Sequence, residues 1–171
     1  MCYAGYTRCM DVRDLILKQK EVIRRRTRQV VEMIRPEQWA WRPEKDALAV
    51  EEMVRHLWVS EEGVRRVALE NNFAYYETRI PKGLRAVLGA VGSLDDERER
   101  LERVHAETIA AVAAYPLDKF EEERVHEALG YRRKVYVILM GINEHEIHHR
   151  AQLMTYLRML GTPVPEAIIR R

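Results

Sequence analysis

Four long stretches of the chain carry apolar residues at the three- and four-residue spacing of an amphipathic helix. The predicted helices cover about residues 11–34, 47–70, a stretch from Ser93 or Asp95 to about residue 115, and 132–160. Pro36 ends the first helix, and Gly161 with nearby prolines ends the last. No stretch indicates a sheet. The pattern therefore predicts an all-α, up-down four-helix bundle.

Two segments do not follow this pattern. Residues 80–93 form the least regular stretch, and residues 118–133 are highly charged, with Gly130 dividing them into two pieces. There is no internal repeat, low-complexity segment or shift in composition, and about 170 residues correspond to one domain. We therefore predict a single four-helix-bundle domain over residues 1–171.

The charge balance excludes some classes of partner. Lys and Arg number 29 against 27 Asp and Glu, a net charge of +2, which gives no electrostatic reason to expect nucleic acid or a membrane surface as partner. No apolar stretch approaches the roughly 20 residues of a membrane span. Cys2 and Cys9 lack CxxC spacing, and no signal-peptide pattern opens the chain, so we expect reduced thiols and a cytoplasmic protein.

The most informative motif is His145-Glu146-Ile147-His148-His149. Residues advance by about 100° along a helix, so His145 and His149 lie one turn apart on the face that apolar residues drive into the core. An unpaired buried imidazole costs about 1–3 kcal/mol, and two on one inward face need a common cause. Imidazole is a usual ligand of Zn²⁺ and similar metals, so the spacing indicates a metal site between helices.

A metal site needs a third ligand from another helix. His56 and His105 are both candidates, and their positions on the helical wheel do not decide between them. His105 lies near the centre of its apolar stripe, and His56 lies on the flank of its own, so periodicity slightly favours His105. Glu146 lies about 40° from the centre of the histidine face, where it can support a ligand or act as general base.

The motif has two other interpretations. The two histidines could simply form hydrogen bonds inside the core. The motif also matches H-E-x-x-H, the pattern of zinc metalloproteases. The protease context is poor because no histidine follows His149 and no sheet edge is predicted to hold a peptide.

The sequence resembles the DinB/YfiT-like family at four places along the chain. They are Trp39-x-Trp41-Arg42-Pro43, Arg55-His56-Leu57, Asn143-Glu144-His145-Glu146-x-His148-His149-Arg150-x-Gln152-Leu153, and Tyr156-Leu157-Arg158-x-x-Gly161-x-x-Val164-Pro165. The resemblance implies a four-helix bundle whose metal ligands are His56, His145 and His149. It moves His105 to the pocket, where we also place Arg150, Gln152 and Tyr156.

The resemblance also implies zinc or nickel as the metal, a homodimer, and a small-molecule substrate with a low-molecular-weight thiol as a possible partner. The leading hypothesis is a metal-dependent transferase or hydrolase, with thiol-dependent S-transfer favoured. The alternative is a non-catalytic metal-binding or damage-response protein that serves as a dimeric interaction module. A pocket over an open metal position distinguishes the enzyme from the module.

Overall fold

The computed structural model describes residues 10–165 and residue 168, so Cys2 and Cys9 lie outside the described residues. Four long helices confirm the four predicted segments: α1 (Val12–Glu32), α2 (Val50–Glu70), α5 (Leu94–Ala114) and α6 (Val135–Met159). Two short helices, α3 (Ala74–Lys82) and α4 (Leu84–Leu88), lie between α2 and α5. No helix in the described part of the chain combines the length and apolar character needed to cross a bilayer.

The helix ends follow from local chemistry. Asp11 and Ser93 cap α1 and α5 by accepting hydrogen bonds from the backbone N–H groups of Asp14 and Asp96. The last turn of α2 ends at Asn71, which adopts the left-handed conformation with φ of 55°. These caps place the helix boundaries within a few residues of those that the sequence predicts.

The four long helices form the predicted bundle. Helix α2 packs against α5 and α6, and α1 packs against the same two helices. The consecutive long helices α1 and α2 therefore lie diagonally across the bundle, as do α5 and α6, whereas a simple up-and-down order would make them neighbours. The buried core fills the space between them in two clusters, one around Leu57, Leu101 and Leu153 and one around Ile16, Phe120 and Leu139.

A β-hairpin lies where the sequence predicted no sheet, and this corrects the sequence analysis. Strands β1 (Glu123–His126) and β2 (Tyr131–Lys134) pair antiparallel, and Gly130 takes a φ of 59° in the turn between them. Each strand has four residues, half or more of which are charged, so neither shows the apolar alternation that indicates a strand. Because the second strand ends at Lys134, the last helix begins at Val135 and not at the predicted residue 132.

Candidate metal centre and adjoining pocket

Three histidine side chains from two helices converge at the interface of α2 and α6. Nε2 of His56 lies 2.9 Å from Nε2 of His145 and 3.0 Å from Nε2 of His149. His56 is buried, and the two α6 histidines are partly buried. Of the two candidates for the third ligand, His56 of α2 therefore lies beside the pair, and His105 of α5 does not.

The helices determine this arrangement. One turn of α6 separates His145 from His149, and Ile142 and Leu153 anchor the same face in the core. Helix α2 packs directly on α6, so a residue on the flank of the α2 apolar stripe faces the pair. His148 lies next to His149 in sequence and is exposed.

Hydrogen bonds at the opposite ring nitrogens orient two of the three imidazoles. Nδ1 of His149 lies 2.6 Å from the amide oxygen of Gln152, which only accepts, so this nitrogen carries the proton and Nε2 keeps its lone pair. Nδ1 of His56 contacts Oγ of Ser60 at 2.9 Å, and Ser60 contacts the hydroxyl of Tyr75 at 2.8 Å. Such partners are what fixes the tautomer of a metal-binding histidine.

Burial keeps the three imidazoles neutral at pH 7. Burial, together with the repulsion that His145 and His149 exert when they are protonated, lowers the pKa of His56 to about 2. Burial and the neighbouring His149 lower the pKa of His145 to about 3, and burial also lowers the pKa of His149. Neutral imidazole is the form that binds a metal, so the site needs no deprotonation step before binding.

The donor set fits a divalent transition metal. Three nitrogens bonded to one tetrahedral zinc at 2.0–2.1 Å lie about 3.3 Å apart, close to the separations from His56. The ligand nitrogens of His56, His145 and His149 all lie within 4.8 Å of one another. Three neutral nitrogen donors also leave a fourth position open, which is the pattern of catalytic zinc sites.

A pocket of about 390 Å³ adjoins the triad on the side of His145. Its walls come from α2, α3, β2 and α6, so the unpredicted hairpin contributes to it. The polar and charged side chains in its lining are Ser60, Glu61, Tyr75, Tyr76, Arg79, Tyr131, Arg133, Glu144 and His145. This volume falls in the range of small-molecule sites.

The structure corrects the interpretation of Glu146 as a general base. Glu146 is buried on the α1 side of α6, where Lys20 donates to it at 2.7 Å and Arg24 at 3.0 Å. Burial opposes ionisation of this carboxyl, but the two cations outweigh it and lower its pKa to about 2. A carboxylate held this way is a poor proton acceptor near neutral pH.

Glu146 instead belongs to a buried ion network that joins three helices. Glu61 of α2 accepts from the same two α1 cations, Lys20 at 2.6 Å and Arg24 at 2.5 Å. Arg24 also donates to the backbone oxygen of Leu101 in α5. The network ties α1 to both helices that carry the histidine triad.

The other predicted pocket residues lie in different places. His105 is buried on α5 with Nε2 3.4 Å from a Glu21 carboxylate oxygen, and it does not line the pocket. Arg150 donates to the backbone oxygen of Ile23, and the ring of Tyr156 packs edge-on against Trp41. Of the four predicted pocket residues, only Gln152 forms a hydrogen bond with a histidine of the triad. These placements correct the pocket assignments of His105, Arg150 and Tyr156.

Sequence reasoning missed several side chains at the site. Ser60 follows His56 by one helical turn, and this spacing alone could have suggested a supporting hydroxyl. Tyr75 and Arg79 lie in α3, and Arg133 lies in β2, and neither element gave a clear periodic signal. No sequence pattern pointed to these three residues.

The comparisons with known proteins agree with this fold. The chain is 24% identical over 141 residues to the uncharacterized protein YjoA of Bacillus subtilis strain 168, covering 79% of this chain and 82% of YjoA. The crystal structure of YjoA, a DinB-like protein, superposes with a TM-score of 0.69 at 22% identity, covering 88% of this chain and 95% of that one.

Two further structures share the architecture. A DinB-like protein from Bacillus cereus ATCC 10987 gives a TM-score of 0.70 at 14% identity, over 88% of this chain and 93% of its own. YfiT from Bacillus subtilis, described as a probable metal-dependent hydrolase with an unusual four-helix bundle topology, gives 0.67 at 15% identity, over 95% and 94% of the two chains. The sequence model of the DinB superfamily matches residues 19–153, which is most of the chain. The chain therefore belongs to the DinB superfamily.

Proposed function

We propose that this protein binds one divalent transition metal, zinc or nickel, through His56, His145 and His149 and uses it to act on a small molecule. The observation that carries the proposal is the convergence of three Nε2 atoms beside a pocket large enough for a substrate. Imidazole suits both metals, so the ligands alone do not select between them.

The chain's own side chains prepare the site for this role. A divalent metal held by three neutral imidazoles acts as a Lewis acid and lowers the pKa of a water or thiol that it binds. Gln152 holds the His149 ring with Nε2 free to bind, and Ser60 holds the His56 ring at Nδ1. The buried ion network around Lys20 and Arg24 stabilises the position of α6 relative to α2 without adding a carboxylate to the ligand set.

We infer hydrolysis or thiol-dependent transfer as the reaction. The description of YfiT as a probable metal-dependent hydrolase supports the first, and the resemblance on which we based the thiol hypothesis supports the second. Both reactions need the same open metal position, and they differ in whether water or a thiol provides the nucleophile. The thiol partner and the homodimer stay predictions.

The pocket favours the enzyme over the non-catalytic interaction module. A purely structural metal site is closed by four protein ligands, whereas His145 here lies in the wall of a cavity. In the described part of the chain, the ligand cluster contains three residues and no fourth Cys, Asp or Glu.

The test is an activity comparison on metal-reconstituted protein. Zinc- and nickel-loaded protein is assayed for hydrolysis of p-nitrophenyl acetate and for conjugation of cysteine and glutathione to monochlorobimane. We expect metal-dependent turnover in at least one assay, absent in His149→Ala and retained in His105→Ala. Rates that never exceed those of metal-free protein, in a sample shown to hold one metal per chain, would contradict the enzyme and leave the interaction module.

A further inference from the structure

Two arginines from separate elements line the pocket beside the histidine triad. Arg79 comes from α3 and Arg133 from β2, and both belong to the same lining as His145. Arg79 is partly buried and Arg133 is exposed. The two arginines thus contribute to one cavity from different walls.

Neither arginine has an acidic partner within ion-pair distance among residues 10–165 and 168. Other arginines nearby do: Arg66 pairs with Glu62, and Arg85 pairs with Glu52. The guanidinium of Arg79 instead lies 5.9 Å from the centre of the Tyr75 ring. Nη1 of Arg133 donates to the backbone oxygen of Arg132 at 2.9 Å. A guanidinium offers five donors in a planar fork, so both arginines retain donors for a ligand.

Arg79 lies in the same pocket lining as His145, one of the three proposed metal ligands. A cation so close to a site for a divalent metal raises the positive potential of the pocket, and a bound anion is the species that this potential favours.

The acidic residues of the pocket do not offset this charge. Glu61 lies in the lining, but its Oε2 already accepts from Lys20 and Arg24 in the buried ion network. Glu144 also lines the pocket and is exposed. Because Lys20 and Arg24 neutralise Glu61, the lining retains two arginines against the single carboxylate of Glu144.

The rest of the lining suits an organic ligand. Tyr75, Tyr76 and Tyr131 provide aromatic surface and hydroxyl groups, and Val64, Ile138 and Ile142 provide apolar surface. Aromatic and aliphatic walls with a few convergent polar groups are typical of small-molecule sites. The ligand class is thus a compact organic molecule with an anionic end.

We propose that Arg79 and Arg133 form an anion subsite that binds the carboxylate or phosphate group of a small organic substrate beside the metal centre. This inference rests on the proposed function, since it names the class of substrate for the same pocket. Both anions accept bidentate hydrogen bonds from a guanidinium, so the structure favours their shared chemistry and the experiment separates them.

The experiment measures binding, not turnover. Titration calorimetry on zinc-loaded protein compares three probes of similar size: benzoate, phenylphosphonate and the uncharged benzamide. The protein is tested as wild type, Arg79→Met, Arg79→Lys and Arg133→Met. The matched control is Arg132→Met, because Arg132 precedes Arg133 on β2 but pairs with Glu123 and does not line the pocket.

We expect benzoate or phenylphosphonate to bind more tightly than benzamide, and the stronger of the two identifies the anion. Arg79→Met and Arg133→Met should weaken anion binding by about 10- to 100-fold. Arg79→Lys should lose less affinity for the anion, because it keeps the positive charge. Arg132→Met should change that affinity by no more than about twofold. Equal binding of benzamide and both anions, or unchanged anion binding in Arg79→Met and Arg133→Met, would overturn the anion subsite.

Metal content measured on the same samples separates this failure from failure of the proposed function. Wild-type protein that holds zinc but binds anions independently of both arginines contradicts only the subsite. Wild-type protein that holds no metal contradicts the metal centre, and the same titration on that protein still tests the two arginines.

Discussion

Nδ1 of His149 donates a hydrogen bond to the amide oxygen of Gln152 at 2.6 Å, three residues further along α6. The bond directs the lone pair of His149 Nε2 toward His56 and His145. Gln152, on the same helix, therefore sets both the tautomer and the orientation of the His149 ring.

Gln152→Leu should weaken metal binding by about 10- to 100-fold, because His149 then loses the acceptor that fixes its tautomer. Gln152→Glu keeps an acceptor at the same place and should retain most of the affinity. Competition of the reconstituted protein against a chromogenic zinc chelator measures both. Equal affinities in wild type and Gln152→Leu would show that the contact does not orient the ligand.

The metal-free protein should lose stability as the pH falls below neutral. The pKa values of His56 and His145 drop from 6.5 in the unfolded chain to about 2 and about 3 in the folded protein. At a pH between the pKa of the unfolded chain and that of the folded protein, these histidines bind protons only in the unfolded chain. The free energy of unfolding therefore decreases as the pH falls from 6.5.

Urea unfolding at pH 7.5, 6.5 and 5.5 measures this loss. The triple variant His56→Gln, His145→Gln and His149→Gln should show a shallower decline over the same interval. Carboxylates such as Glu146 titrate at lower pH and contribute little there. An unchanged midpoint from pH 7.5 to 5.5 in the wild type would contradict the burial of neutral imidazoles.

Lys20→Met should destabilise the fold by about 3–5 kcal/mol, because it leaves Glu61 and Glu146 buried with only Arg24 to neutralise them. The control is Arg132→Met, which removes an exposed pair with Glu123 and should cost less than about 1 kcal/mol. Urea denaturation of the two variants gives the comparison. A cost for Lys20→Met as small as that of the control would mean that the network is hydrated in solution.

Two helical glycines should respond in opposite directions to alanine. A Cβ at Gly63 would lie 2.5 Å from Cγ of Tyr75, so Gly63→Ala should cost about 1–3 kcal/mol and displace the tyrosine that contacts Ser60. A Cβ at Gly141 meets no atom within 4 Å, so Gly141→Ala should stabilise α6 by about 0.5–1 kcal/mol. Thermal unfolding distinguishes them, and a Gly63→Ala protein as stable as the wild type would contradict the close approach of α3 to α2.

Periodicity was sufficient to predict the four long helices and the pairing of His145 and His149 on one face of the last helix, because both follow from the repeat of a single helix. The third histidine depends on which helices are neighbours. His105 is buried on α5 as its wheel position indicates, but α5 lies diagonally across the bundle from α6 and cannot bring it to the pair. His56, on the flank of the α2 stripe, faces α6 directly.

The other differences between the predictions and the structure also arise from contacts between segments that are distant in sequence. Glu146 is next to His145 in sequence, but a difference of about 100° around the helix turns its side chain to the cations of α1. The hairpin from Glu123 to Lys134 has short, charged strands, and its Tyr131 packs against Phe73 at a ring separation of 5.3 Å. This contact between distant segments leaves no local pattern in the sequence.

Metal content, measured by plasma mass spectrometry on protein purified without an affinity tag, decides whether the three histidines form a metal centre. Wild type is compared with His149→Ala and with His105→Ala. His105 is the control because it is a buried histidine outside the triad. We expect about one zinc or nickel per chain in wild type and His105→Ala, and a loss of that metal in His149→Ala. No metal in the wild type after addition of zinc or nickel, or equal metal in wild type and His149→Ala, would contradict the metal centre.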